Sequence, residues 1–300
     1  MRATNPLRGV IAMKMTVITL FTVIVSIASL ASWMTKQGRA EFSQNADGVI
    51  VLTPDSKQPD ASFDFQPTRW GSYDVSISLD TTDGTEVELR MRQHRVEKVA
   101  GKNVEQSSMY ALKGRVKAET FLAGRVKFVS AEKVSLEVVD GTGINLLKSV
   151  RHILLKPAPE GESIVQQGDR TVVLESANCT VHGVSLRYEP QPHKNTIGYW
   201  SNASDWASWD FNLKIPGRFR VVLRQGCGSG HGGSKAKISV GTSAIEFMVI
   251  ETGGFQTWLD RDLGTIVIDT PGRYSLDLRA LSKVSGAVMD CQSIKLEPVP

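Results

Sequence analysis

Helical periodicity is missing from this 300-residue sequence: after residue 40, no apolar stripe at helical spacing runs longer than two turns. That excludes helical bundles and α/β folds. Cysteine is scarce as well. Cys179, Cys227 and Cys291 are the only three, an odd number that allows at most one intramolecular pair, and spacing does not assign it. A buried single thiol is the expected state of at least one. The histidines His94, His152, His182, His193 and His231 have no zinc-site spacing, and H-E-x-x-H does not occur, so neither metal nor cofactor is expected. Carboxylates are absent from residues 1–40, which hold Arg2, Arg8, Lys14, Lys36 and Arg39. Removing those five from the 35 basic residues leaves 30 against 31 acidic ones, so the formal charge of +4 belongs to the leader. A nucleic-acid binder needs its basic excess on the folded part, which excludes that class. Apolar residues at 41% and charged ones at 22% also exclude a disordered, collagen-like or multi-span membrane chain.

One long apolar run is present, the 17 residues Met15 to Ala31, with Arg2, Arg8 and Lys14 before it and no charge until Lys36. Basic flank, apolar stretch and small residues at Ser29 and Ala31 describe a secretory signal, with Gly38-Arg39-Ala40 a second cleavage point. Extension to Thr35 gives about 20 uncharged residues, enough for an uncleaved anchor over 15–35. Either way, residues 1–40 are a leader and the rest of the chain is exported, to the periplasm or beyond. Membrane contact is expected only through that anchor.

Elsewhere the hydrophobic period is two. Tyr73, Val75, Ile77 and Leu79 alternate with Asp74, Ser76, Ser78 and Asp80, and Val134, Leu136 and Val138 with Ser135 and Glu137. Later in the chain, Phe219, Val221 and Leu223 alternate with Arg218, Arg220, Val222 and Arg224, and Tyr274, Leu276 and Leu278 with Ser275, Asp277 and Arg279. Such alternation predicts antiparallel strands with one buried and one wet face, and the Pro-Gly turns at 216–217 and 271–272 punctuate them. The halves also resemble each other. PTRWGSYDVSI (67–77) aligns with KIPGRFRVVL (214–223), KVSLEVVD (133–140) with RYSLDLRA (273–280), and SVRHILLKPAP (149–159) with DCQSIKLEPVP (290–300). A repeat of that size predicts a duplicated domain. The expected architecture is all-β: two tandem antiparallel β-sandwich (jelly-roll) domains over 47–160 and 162–300, joined between Pro157 and Gln167.

The halves differ before the Pro-Gly turn, where the second alone carries Tyr199, Trp200, Trp206 and Trp209. Trp209, Phe211 and Leu213 share a strand phase, so Trp209 belongs to the core. Tyr199, Trp200 and Trp206 lie in a loop rich in Gly, Ser, Asn and Asp, and TGGFQTW (252–258) supplies a second aromatic loop with Phe255 and Trp258. Loop aromatics on a rigid sandwich offer flat apolar faces to sugar C–H groups. The competing expectation is that they only cap the sandwich.

The runs HG (182–183), LRYE (186–189), NTIGYW (195–200), DW (205–206), PGRF (216–219), GGS (232–234), TGGFQTW and AVMDCQSIKLEP (287–298) cover about 130 residues. In that order they resemble a galactose-binding-like jelly-roll module that accompanies secreted bacterial sulfatases and fucosidases and is distantly similar to family-six carbohydrate-binding modules. The resemblance implies sugar binding, with Tyr199 and Phe255 at the cleft-aromatic positions, Phe255 standing where those modules carry Trp. It also implies a polar ligand role just before the last strand, where Asp290 replaces an Asn. Gly228-x-Gly230-x-x-Gly233 is followed by the strand KAKISV, so it is a loop and not a dinucleotide fingerprint. No catalytic motif is present. The expected protein is exported, non-catalytic and polysaccharide-binding through Tyr199, Trp200, Trp206, Phe255, Trp258 and Asp290. A structural or protein-interaction sandwich pair at the cell surface is the alternative.

Overall fold

The computed structural model describes residues 40–54, 62–80, 84–116 and 120–300. The expected leader lies outside these residues, apart from Ala40. Among the described residues there is no α-helix, only 3-10 turns at Leu147–Ser149 and Ser176–Asn178.

Nine strands form the first sandwich: β1 (Ala40–Gln44), β2 (Ile50–Pro54), β3 (Phe63–Phe65), β4 (Gly71–Leu79), β5 (Glu86–Val99), β6 (Lys102–Arg115), β7 (Thr120–Phe128), β8 (Val134–Asp140) and β9 (Val150–Ala158). The sheet β1-β2-β9-β4-β7 packs on the sheet β3-β8-β5-β6. Twelve strands form the second: β10 (Ile164–Val165), β11 (Val172–Glu175), β12 (Thr180–His182), β13 (Arg187–Glu189), β14 (Thr196–Gly198), β15 (Trp206–Leu213), β16 (Gly217–Cys227), β17 (Lys235–Val240), β18 (Ser243–Met248), β19 (Gly254–Ile268), β20 (Gly272–Ser282) and β21 (Asp290–Val299). Here the sheet β13-β14-β21-β16-β19 faces β10-β15-β20-β17-β18, with β11 beside β21 and β12 beside β15. One pairing departs from the expected antiparallel pattern: β10 runs parallel to β15 for two residues, where the linker enters the second sandwich.

Each sandwich buries its own core through the period-two faces. Tyr73, Val75, Ile77, Leu136 and Ile153 are buried in the first, and Trp209, Phe211, Leu223, Leu278 and Ile294 in the second. The duplication extends to register. In the first sandwich Val75 faces Leu155 and Ile77 faces Ile153; in the second Val221 faces Leu296 and Leu223 faces Ile294. Phe63 and Phe65 face Leu136 and Val134, as Trp209 and Phe211 face Leu276 and Tyr274. The sheet orders β9-β4-β7 and β3-β8-β5-β6 therefore recur as β21-β16-β19 and β15-β20-β17-β18. The alignments read from the sequence place the same strands opposite one another.

The two sandwiches touch through side chains of specific chemistry. Arg69, 2% exposed, crosses the joint and donates to the carbonyls of Val181 at 2.8 Å and Gly183 at 3.3 Å. Trp70 Nε1 donates to the Tyr188 carbonyl at 3.1 Å, and Trp206 Nε1 to Asp47 Oδ1 at 3.3 Å. Gly48 lies so close to Gly183 that a Cβ on it would stand 2.3 Å from the Gly183 carbonyl oxygen, so no larger residue fits.

Candidate functional site

Sheet register decides where the two aromatic loops meet. Ile197 on β14 pairs with Cys291 on β21, Gly226 on β16 with Asp290, and Cys227 with Gly254 on β19. Four neighbouring strands thus end together, and Tyr199, Asp290, the Gly226–Gly228 backbone and Phe255 line one end of one sheet. The row spans three strand spacings, about 14 Å at the backbone. Tyr199 and Phe255 stand toward its two ends, with Asp290 and Gln256 between.

Between them lies a desolvated polar cluster. Asp290, 4% exposed, accepts a hydrogen bond from Gln256 Nε2 at 3.1 Å. Glu189 is buried too and is paired with the Lys194 ammonium. Both carboxylates close over Gly198, where a Cβ would stand 2.4 Å from Glu189 Oε1 and 3.0 Å from Asp290 Oδ1. Only glycine leaves both in place. Burial, and then the Glu189 carboxylate, push the Asp290 pKa up to about 7, while Gln256 and Lys194 pull it down. Such a perturbed carboxyl at a loop cluster marks a candidate binding group. Among the described residues no three His, Cys, Asp or Glu side chains converge as a metal site.

The expected site residues divide. Tyr199 is 51% exposed and holds a left-handed backbone, φ +58°. Arg187 lies 4.2 Å from its ring centre and Trp70 packs edge-on at 5.6 Å, so the ring is braced yet open. Phe255 packs on His231 at 5.1 Å, and its chain presses on Gly226, where a Cβ would stand 2.0 Å from the Phe255 carbonyl oxygen. Trp258 lies partly buried against the same glycine.

Two residues are corrected. Trp200 is 0% exposed and donates Nε1 to the Asp205 carbonyl at 2.9 Å, so it packs the core and offers no face to a ligand. Its neighbour Asp205 is buried and caps the backbone N–H groups of Val184, Ser185 and Leu186. Trp206 lies in a cross-strand row between His182 and Arg279. The His182 ring stacks at 3.7 Å and the Arg279 guanidinium at 3.3 Å, covering both faces of the indole. Polarity of the surrounding loop suggested exposure, but side chains from β12 and β20 cover its two faces, and its Nε1 reaches Asp47 of the first sandwich.

Sequence reasoning did not find Glu189, Lys194, Gln256, His231 or Arg187 as site residues. Gln256 sits inside the TGGFQTW loop and His231 inside the glycine-rich loop, where a signal existed. Glu189 and Lys194 had none, since their convergence on Gly198 depends on register. The three cysteines are buried and free, and burial raises each thiol pKa, that of Cys227 to about 11, so none is a ready nucleophile.

A family model described as a domain of unknown function, DUF5077, matches residues 187–299. No curated protein matches the chain. Among solved structures, the chain is similar to the C-terminal CBM6 of LamC, a marine laminarinase from Zobellia galactanivorans. That likeness has 21% identity over 42% of this chain and 98% of that one, with a TM-score of 0.34. A family 35 carbohydrate-binding module from Clostridium thermocellum is 14% identical over 43% of this chain and 98% of its own, TM-score 0.34. A Paenibacillus xanthan lyase is 18% identical over 88% of this chain and 25% of its own, TM-score 0.33.

Proposed function

We propose that this chain is an exported, non-catalytic polysaccharide-binding protein whose second sandwich carries the site along the ends of β14, β21, β16 and β19. The observation that carries this reading is the convergence of an open, braced Tyr199 with the buried Asp290 and Glu189 carboxylates and the more exposed Lys194 and Gln256 that pair with them, on one sheet end. A sugar needs this pairing, a flat apolar face for its C–H groups and fixed polar groups for its hydroxyls. The motif order in the sequence supports the same class, and the basic leader with its apolar run supports export. Non-catalytic status rests on the absence of a catalytic motif in the sequence.

The test is retention of the full chain on a polysaccharide panel, with Tyr199→Ala as the contrast. Tyr199→Ala should lose about 1–3 kcal/mol of binding, as truncated binding anchors do. If no polysaccharide retains wild type, the reading fails. The structural reading then stands, and one observation already favours it in part: Trp200 and Trp206 are consumed by packing.

A further inference from the structure

Arg187 is an unusual cation. It begins β13, is partly buried, and among the described residues has no carboxylate within ion-pair reach. Its Nε donates to the Ser185 carbonyl at 2.9 Å, and its terminal nitrogens have no hydrogen-bond partner among the described residues. The guanidinium instead lies 4.2 Å from the ring centres of both Trp70 and Tyr199. Those rings meet nearly at right angles, 80°, so together they form a corner that holds the cation. Trp70 belongs to the first sandwich, and its Nε1 is tied to the Tyr188 carbonyl of the second. Arg69, fully engaged with backbone carbonyls, fixes the turn that presents it. The charges nearby are Arg69 and Glu189, and Glu189 is already taken by Lys194.

A partly desolvated guanidinium that lacks a carboxylate partner among the described residues, but is held by two rings, keeps unused donors. Tyr199 beside it is the open aromatic of the site. We propose that Trp70, Arg187 and Tyr199 form one composite carbohydrate platform across the joint. A sugar ring lies on Tyr199, Arg187 donates to one of its oxygens, and Trp70 is the positioning residue that holds the guanidinium. This rests on the polysaccharide-binding reading above and adds that the first sandwich completes the site.

The experiment uses the full chain and measures affinity for soluble laminarin, xylan, mannan and polygalacturonate by affinity electrophoresis, with melting temperature for each variant. Trp70→Ala and Arg187→Ala should each weaken the retained polysaccharide about tenfold or more. Trp70→Phe should keep most of the affinity. Asp47→Ala removes a different contact of the same joint, the Trp206 bond, and should leave affinity unchanged. If Tyr199→Ala abolishes binding while Trp70→Ala binds as wild type does, the platform is overturned and the polysaccharide reading stands. If Asp47→Ala weakens binding as much as Trp70→Ala, Trp70 acts only through docking, and the platform is again overturned. If Trp70→Ala melts prematurely, Trp70→Phe and Arg187→Lys decide: loss with Arg187→Lys and retention with Trp70→Phe uphold the proposal, the reverse overturns it. No retention of wild type overturns both readings.

Discussion

His182 and Trp206 stack face to face, ring centres 3.7 Å apart and 8° from parallel, at the surface where the two sandwiches meet. His182 also bonds Ser208 Oγ at 2.8 Å. Burial lowers its pKa to about 4, against opposing pulls from Asp47 and Asp277. The unfolded chain takes up that proton near pH 6.5, whereas the folded one refuses it until about pH 4. Stability should therefore fall as pH drops through that window. His182→Gln, which keeps a hydrogen bond and does not titrate, should remove this part of the slope in urea midpoints taken from pH 7.5 to 4.5.

Asp290 works in the opposite direction. Its folded pKa of about 7 exceeds the ordinary 3.8, so the folded state holds the extra proton and stability falls as pH rises through that interval. Asp290→Asn keeps an acceptor for Gln256 and removes the buried charge. Its stability relative to wild type should rise from near zero below pH 4 to a plateau above pH 7, on the order of 1–4 kcal/mol. A difference that stays flat with pH would refute the assignment.

Core and surface aromatics between residues 199 and 209 should separate cleanly. Trp200→Ala and Trp209→Ala each empty a fully buried site and strand a bonded carbonyl, of Asp205 or Glu175, and should cost about 3–5 kcal/mol. Tyr199→Ala should cost less than about 1 kcal/mol. Chemical denaturation of the three variants measures this, and equal losses would place Tyr199 in the core.

Arg69→Ala leaves the Val181 and Gly183 carbonyls at a buried joint without their donor. The loss should be about 2–4 kcal/mol, felt as uncoupling of the two sandwiches. Calorimetry should change from one melting transition to two. Residues 162–300 alone should still give a cooperative sheet melt, at a lower temperature than in the full chain, because they bury a separate core. A fragment with no cooperative melt would mean that the halves share stability.

Period-two alternation made the strands legible, because a half-buried strand must expose every second side chain. That determined the all-β class, the core position of Trp209 and the matching of β4, β8 and β9 with β16, β20 and β21. The internal repeat between the halves then predicted two sandwiches. Loop aromatics carried no such constraint. Tyr199 and Trp200 are adjacent, yet one is open and the other sealed, since a left-handed residue at 199 turns the two rings apart. Trp206 reads as a polar-loop residue until β12 and β20 bring His182 and Arg279 against its two faces. The meeting of Glu189 with Asp290, about a hundred residues apart, and of Trp70 with Arg187 follows from strand register and domain docking. Those are long-range contacts. A local pattern records which face a residue takes, and only the tertiary structure decides what stands opposite it.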